Sequence, residues 1–465
     1  MSLFSGLSNG SSALQAQSYA LEITGKNIAN VDNSNYARER VVFGTSGMVQ
    51  TPLGMLSMGL DAKSASQQRD AFLDQQLTKE ISSTASLESE QAALQRAEAS
   101  LGESISSTTS TSSSTSGAGI SSQLDSFFNS FKSFAASPTD VGERQTLVQT
   151  AATLVNTFQQ TDADLAQVQS DLDSQITVDT SDINTQLQKI ADLNAQIIRF
   201  EADSAGSAVD LRDQRQAAVE ELASKMSFTA TTDSSGNFQI LATDTGGTDV
   251  TLVSGGTVSN TVAFDGTDLT AGSSTLALSS GSIKGAIDAR DGTIKTLRDN
   301  LDTLASQLVA SVNAAYNPTG ATGDFFDASG TTADTIALDS SLTATSLKAS
   351  DGGADGDNTL ALAVSDLASH SFSTSNGDAI DGTFSQFYSG VVSSFGQALS
   401  SLNASVENQN TVETLVRTQR DAVSGVNIDE ETTNLMKYQR AYQACSHYVS
   451  VVDNLLDTVI NSLGS

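Results

Sequence analysis

From Gly425 to Ser465 a single heptad pattern runs through the chain. Ile428, Leu435, Tyr442, Val449, Leu456 and Leu463 recur every seven residues, and Tyr438, Cys445, Val452 and Val459 each follow an a position by three. Asp429, Glu430, Lys437, Arg440 and Asp453 lie off the stripe. Asp429, Glu430 and Glu431 fall in the first turn, where carboxylates favour the positive end of a helix. A helix this long cannot bury so narrow a stripe against itself. It needs a partner helix.

The other end of the chain offers one. Leu7, Leu14, Leu21 and Ile28 also recur every seven residues, flanked by Leu3 and Val31. The alternate positions Gly10, Gln17 and Thr24 are small or polar, so this helix can approach a partner closely. The first charge is Glu22. The two termini are expected to pair as a coiled coil, with the middle of the chain hung between them. Their stripes would stay partly unfilled in one molecule and mobile until neighbouring copies supply further helices.

At 465 residues the chain has room for several domains, yet 38% hydrophobic and 5% aromatic residues with no Trp are lean for large cores. Elongated helical layers fit better. A net charge of −31 argues against nucleic acid, which demands clustered Lys and Arg. The single cysteine rules out an internal disulfide, and Cys445, on the seam, reads as a small buried hydrophobe. No stretch reaches the roughly 18 apolar residues of a membrane span, and the N-terminus lacks the basic and apolar regions of a cleaved signal peptide.

Along the chain, the Asn/Asp/Ser cluster from Asn27 to Tyr36 reads as a helix stop and turn. Residues 44–62 lack helical period and suggest a hairpin. A helical run follows from Arg69 to Leu101, and the Ser/Thr/Gly tract from Ser106 to Gly119 reads as a surface loop. Leu124, Phe127, Phe128, Phe131 and Phe134 form an apolar helical face that stops near Pro138. One helix then carries Leu147 to Leu172, another Ile183 to Ile197, and a third spans Val209 to Met226.

From Ser227 to Ser282 the period changes to short alternating runs separated by Gly-containing turns, which reads as a small antiparallel β domain of five to seven strands. Helical period returns from Ile283 to Tyr316 and again from Thr383 to Val423, with an irregular insertion at 318–380 anchored by Phe325 and Phe326. The acidic tract from Asp351 to Asp357 lacks a calcium-loop ligand pattern and reads as a solvated loop. The fold class is therefore mainly α with inserted β, elongated and multi-domain. Its expected segments are 1–62 (terminal helix and extended piece), 63–226 (helical stalk), 227–282 (β domain), 283–424 (returning stalk) and 425–465 (terminal helix).

Several stretches carry a resemblance. Asn27, Ala29, Asn30 and Tyr36 fit Asn-x-Ala-Asn-x-x-Thr-x-Gly-Tyr, a pattern of bacterial flagellar axial proteins, the rod, hook and hook-associated subunits. Asn33 and Asn35 stand where that family has Thr and Gly; Asn is the best non-Gly residue at a left-handed position, so the turn should survive. Arg69-x-x-Phe72-Leu73 resembles the same family. So does the run Ser424-Gly425-Val426-Asn427 with Glu430-Glu431, Asn434-Leu435 and Tyr438-Gln439. Leu124-x-x-Phe-Phe128 with Arg144-Gln145, and Asp210-Leu-Arg-Asp213 with Val219 and Leu222, are similar to hook-associated members in particular.

The resemblance implies a structural subunit at the junction of hook and filament, needed for filament assembly and motility. Its ends would form an inner helical layer, and copies would pack in a helical ring. It further implies the hook protein and a second junction protein as neighbours, and a cytoplasmic export chaperone on the C-terminal helix. Export would be unfolded, through the flagellar type III apparatus, to an extracellular place in the flagellum. The alternatives are another axial subunit, such as hook protein or flagellin, and a secreted coiled-coil adhesin.

No catalytic constellation stands out. His370 lies in a Ser-rich loop and His447 off the seam, and there is no His-Glu-x-x-His, nucleophile elbow, phosphate loop or Cys pair. An enzyme is not expected, nor is a cofactor or metal.

Overall fold

The computed structural model describes residues 3–45, 47–51, 54–57, 59–102, 119–202, 206–320, 323–352 and 356–463. Its elements fall into two compact units: Met1–Thr84, Asp179–Gly281 and Gln409–Ser465 form the first, and Ala85–Val178 and Ser282–Asn408 the second. The division falls inside three helices: α2 (Ala71–Leu101), α4 (Val141–Phe200) and α9 (Phe384–Ser424).

In the first unit α1 (Leu3–Ala29) lies antiparallel to α10 (Ile428–Leu463), Gly6 facing Val452 and Asn27 facing Glu431. α10 is capped by Asn427, whose Oδ1 accepts the Asp429 N–H at 2.9 Å, and its first turn carries Asp429, Glu430 and Glu431. Between these helices in sequence, β1 (Glu39–Thr45) pairs antiparallel with β4 (Leu60–Gln67), with a bulge between Val42 and Phe43. β2 (Met48–Thr51) and β3 (Gly54–Ser57) pair with each other. Ile23, Ala65 and Val209 make a small core here, with Tyr19 and Val41 packed on it. Val209 opens α5 (Val209–Lys225).

The same unit contains two further antiparallel sheets. One has the order β5 (Thr229–Thr232), β6 (Phe238–Thr243), β7 (Asp249–Ser254), β8 (Thr257–Val258). The other runs β11 (Ser274–Thr275), β10 (Leu269–Ala271), β9 (Val262–Phe264). Hairpin turns are set by local polar groups: Asp233 Oδ1 accepts the N–H of Ser235 and of Asn237, and Gly236 supplies φ of +87°. The C-terminal part of α4 holds both sheets through amide side chains. Asn184 exchanges two bonds with the Val262 backbone, and Asn194 Nδ2 donates to Gly255 O at 2.8 Å.

The second unit is built on aromatic packing. α3 (Ile120–Ala136) buries Phe127, Phe131 and Phe134 completely. Phe127 meets Phe131 at 5.1 Å and Phe325 at 5.8 Å, both edge-on, and Tyr316 at the end of α7 (Lys295–Tyr316) closes on Phe325 at 5.4 Å. α6 (Ser282–Asp288) crosses the backbone of α2 so closely that a Cβ on Gly285 would lie 1.9 Å from Ser86 O. A π-helical segment, Ala289–Ile294, joins α6 to α7, and Gln169 Nε2 donates to its Arg290 carbonyl at 2.8 Å.

Three local expectations are corrected. The chain from Val141 to Phe200 is one helix of 60 residues, not two. The polar stretch after Ile176 does not break it, because Thr177 Oγ1 bonds Asp173 O, Asp179 pairs with Lys225 at 2.7 Å, and Ile176 and Ile183 are both buried. The insertion at 318–380 is not wholly irregular, since α8 (Thr359–Asp366) buries Leu360, Ala361 and Val364. Among the described residues no non-glycine has positive φ, so Asn35 takes no left-handed conformation; instead its N–H donates to Asn33 Oδ1 at 3.2 Å in an Asx turn. The tract expected as a loop at Ser106–Gly119 lies, except for Gly119, outside the described residues, as do residues 353–355 of the acidic tract.

Candidate assembly site at the paired termini

α1 is rich in Ser and Gly and has little helical propensity of its own, so its contact with α10 must hold it. The face it buries is not the expected leucine stripe. Its buried residues are Gly6, Gly10, Ala16, Ala20, Ile23, Thr24 and Asn27, most of them small, while Leu7, Leu14, Leu21 and Ile28 are only half-buried. The small residues admit bulky ones from α10: a Cβ on Gly10 would lie 2.7 Å from Val449 Cγ2 and 3.1 Å from the Tyr448 ring. Gly6 likewise seats Tyr448 and Val452.

On α10 the expected seam is covered in part. Val452 is buried, and Leu435, Tyr438, Cys445, Val449 and Leu456 are half-buried. Ile428, Tyr442 and Val459 are exposed, and the side chain of Leu463 lies outside the described residues. Beside the covered stripe runs a second one, with Tyr448, Val451 and Leu455 between 44% and 49% exposed.

At the base of the pair the motif residues meet. Asn27, 1% exposed, is the centre: its Oδ1 accepts Tyr36 Oη–H at 2.7 Å and the Glu39 N–H at 3.0 Å. Its Nδ2 donates to Glu39 O at 2.9 Å and to Glu431 Oε2 at 3.1 Å. Every hydrogen-bonding function of one amide is thus used to tie α1, the turn after it, β1 and α10 together. Arg38 completes the tie, donating from Nε to Glu431 Oε1 at 2.8 Å and from Nη1 to Glu430 Oε2 at 2.6 Å, while its N–H bonds Ser424 O. Arg69 forks between Asp213 at 2.7 Å and Asp74 at 3.1 Å and reaches Asn35 O. Arg420 bonds Glu220 at 2.9 Å and Ser34 O at 3.0 Å.

Of the other motif residues, Ser424 is buried; Asn30, Leu73, Gly425 and Val426 are half-buried; and Ala29, Asn427 and Phe72 are exposed. Sequence reasoning missed Arg38, Glu39, Arg420 and Tyr448. The only signal for the glycine face was the spacing Gly6-x-x-x-Gly10 and Ala16-x-x-x-Ala20.

Electrostatics match a structural tie. Burial, then the nearby Glu39 and Asp213, pushes the Tyr36 phenol far up, so it stays a donor. Burial also raises the carboxyls of Glu39 and Asp213, against the pull of Lys26 and Arg69 respectively. Burial works against the Arg38 charge, but its bonds to Glu430 and Glu431 outweigh it and raise its pKa. These acids and bases are engaged with one another. Among the described residues no group of three or more His, Cys, Asp or Glu is placed to hold a metal ion.

Residues 105–326 match the family described as flagellar hook-associated protein FlgK helical domain. Along its whole length the chain is similar to flagellar hook-associated protein 1. Flagellar hook-associated protein 1 of Bacillus subtilis (strain 168) is 26% identical over 519 residues, covering 100% of this chain and 99% of its own. The Escherichia coli (strain K12) protein of the same name is 23% identical, covering 98% and 99%. The termini match two wider descriptions, flagella basal body rod protein at 7–36 and flagellar basal body rod FlgEFG protein C-terminal at 418–463. The solved flagellar hook junction protein FlgK from Burkholderia pseudomallei shares the fold, with a TM-score of 0.61 at 14% identity over 75% of this chain and 100% of that one.

Proposed function

We propose that this chain is a structural subunit of the bacterial flagellum that forms the junction between hook and filament by packing helices between subunits. The observation that carries this is the second apolar stripe of α10, which α1 covers only in part. Tyr448, Val451 and Leu455 are about half exposed in one chain, and helices of neighbouring copies would cover them. At ~25 cal/mol per Å² of apolar surface, covering each of these side chains contributes on the order of 1 kcal/mol. The seam residues Leu7, Leu14, Leu21 and Ile28 on α1, and those from Ile428 to Leu463 on α10, would lie in or beside that intersubunit core.

Copies of the chain would form a helical ring between the hook protein and a second junction protein. A cytoplasmic chaperone would cover the apolar face of α10 until export through the flagellar apparatus, and the subunit would work outside the cell. No described helix is long and apolar enough to cross a membrane.

Deleting the gene is expected to leave complete hooks without filaments in electron micrographs; missing hooks would overturn the assignment. Leu435→Asp or Val452→Asp should abolish incorporation and motility, because an unpaired charge in a packed seam costs several kcal/mol. Motile cells carrying either variant would show that the seam is not an intersubunit core.

A further inference from the structure

Asp210-Leu-Arg-Asp213 is satisfied within the first unit: Asp210 by Lys26, Arg212 by Glu201 and Asp213 by Arg69. Arg215, two residues past Asp213, is not. It lines a cleft of about 560 Å³ between the start of α2, α5 and the strands β5 and β6. Two other arginines line this cleft, and both are engaged by acids. Arg69 forks between Asp74 and Asp213, and Arg212 makes a bidentate pair with Glu201 at 2.8 and 2.6 Å.

Arg215 instead donates from Nη1 to the neutral Asn194 Oδ1 at 3.0 Å, and its Cζ lies over the Phe238 ring at 4.1 Å. No carboxylate among the described residues pairs with it. Burial, with Arg212 and Arg69 nearby, draws its pKa down to about 10. A guanidinium offers five donors in one plane, and the ring covers its face while leaving edge donors for a carboxylate fork. Next to the cleft, in a groove that shares Gln75, Thr78 and Ala230 with it, Phe72 stands 71% exposed.

We propose that this cleft docks a carboxylate from a second copy of the chain, held in plane by Arg215, with an apolar neighbour of that acid resting on Phe72. The occupant follows from charge: with 54 Asp and Glu against 23 Lys and Arg, the surface of a second copy presents mainly acids. This rests on the chain being a self-packing subunit, but concerns a contact separate from the paired termini.

Two measurements test it. In the purified full chain, phenylglyoxal labelling read by mass spectrometry should modify Arg215 roughly tenfold or more faster than Arg69 and Arg212, because carboxylates hold those two guanidiniums while Arg215 bonds only a neutral amide oxygen. Sodium acetate should slow that labelling well beyond sodium chloride of equal ionic strength. Equal labelling of the three arginines, or no acetate effect, overturns the site. In intact flagella carrying Arg215→Lys, carbodiimide should couple the introduced amine to an Asp or Glu of another copy, giving a doubled-mass band and a sequenced crosslink. A crosslink only within the same copy or to a different protein overturns the second-copy occupant. Should that variant not enter flagella, wild-type flagella decide: Arg215 labelled as fast there as in the free chain refutes docking. Flagella that assemble normally with Arg215 open would sink this contact and leave the packing of the termini standing.

Discussion

Arg38→Met tests whether the buried tie at the base of the paired helices holds the first unit together. Arg38 keeps 10% of its side chain exposed and Glu431 only 2%. Removing the guanidinium deletes bonds of 2.8 Å to Glu431 and 2.6 Å to Glu430, and leaves Glu431 with the Asn27 amide at 3.1 Å as its remaining partner. Breaking a buried pair from one side costs about 3–5 kcal/mol, because the other charge stays behind without compensation. Glu430 is 59% exposed, so water screens it and Glu430→Gln should cost about 1 kcal/mol or less. The decisive variant is the double substitution Arg38→Met with Glu431→Leu. It removes both charges and still leaves Asn27 Nδ2 its bond to Glu39 O, so it should be more stable than Arg38→Met alone. A chain of two compact units need not unfold in one transition, so the assay is native-state hydrogen exchange at amides of α1 and β1 in increasing denaturant. A single substitution costing less than about 0.5 kcal/mol, or a double variant that sums the two single losses, would refute the account.

Two further outcomes are expected. In α1, Gly10→Ala should destabilise the helix pair by about 1–2 kcal/mol, since its Cβ would press on Val449 at 2.7 Å, whereas Gly25→Ala, with nothing within 4 Å, should stabilise by up to about 1 kcal/mol. Thermal unfolding of the two variants distinguishes them, and equal shifts would mean that α1 does not pack closely on α10. Glu39 holds its proton more tightly in the folded chain than in the unfolded one, because burial outweighs Lys26. Its contribution therefore makes stability rise as pH falls from neutral through the raised folded pKa and level off below the unfolded value of about 4.3. Glu39→Gln should flatten that part of the stability-against-pH curve, and an unchanged slope would assign it to other groups.

Much of the helical layout was legible because it rests on local periodicity. The heptads after Ile428, the phenylalanine face of α3 and the alternating runs of β5–β11 each report a burial pattern through their own side chains. The Asn/Asp/Ser cluster after Asn27 announced a turn for the same local reason. What misled was also local: Thr and Asp after Ile176 imitate a helix cap, and only tertiary partners such as Lys225 let α4 run through them.

The amino-acid sequence by itself determined that the two ends are helices needing partners and that a β segment interrupts a mainly helical chain. Tertiary structure alone decided which face of α1 meets α10, because glycine and alanine give no hydrophobic signal and become an interface only when Tyr448 and Val449 arrive. It alone also decided that Asn27, Arg38 and Glu431 share one buried network. Residues some 400 positions apart along the chain carry no mutual periodicity, and only the close approach of the helices removes the water that would otherwise satisfy each of them separately.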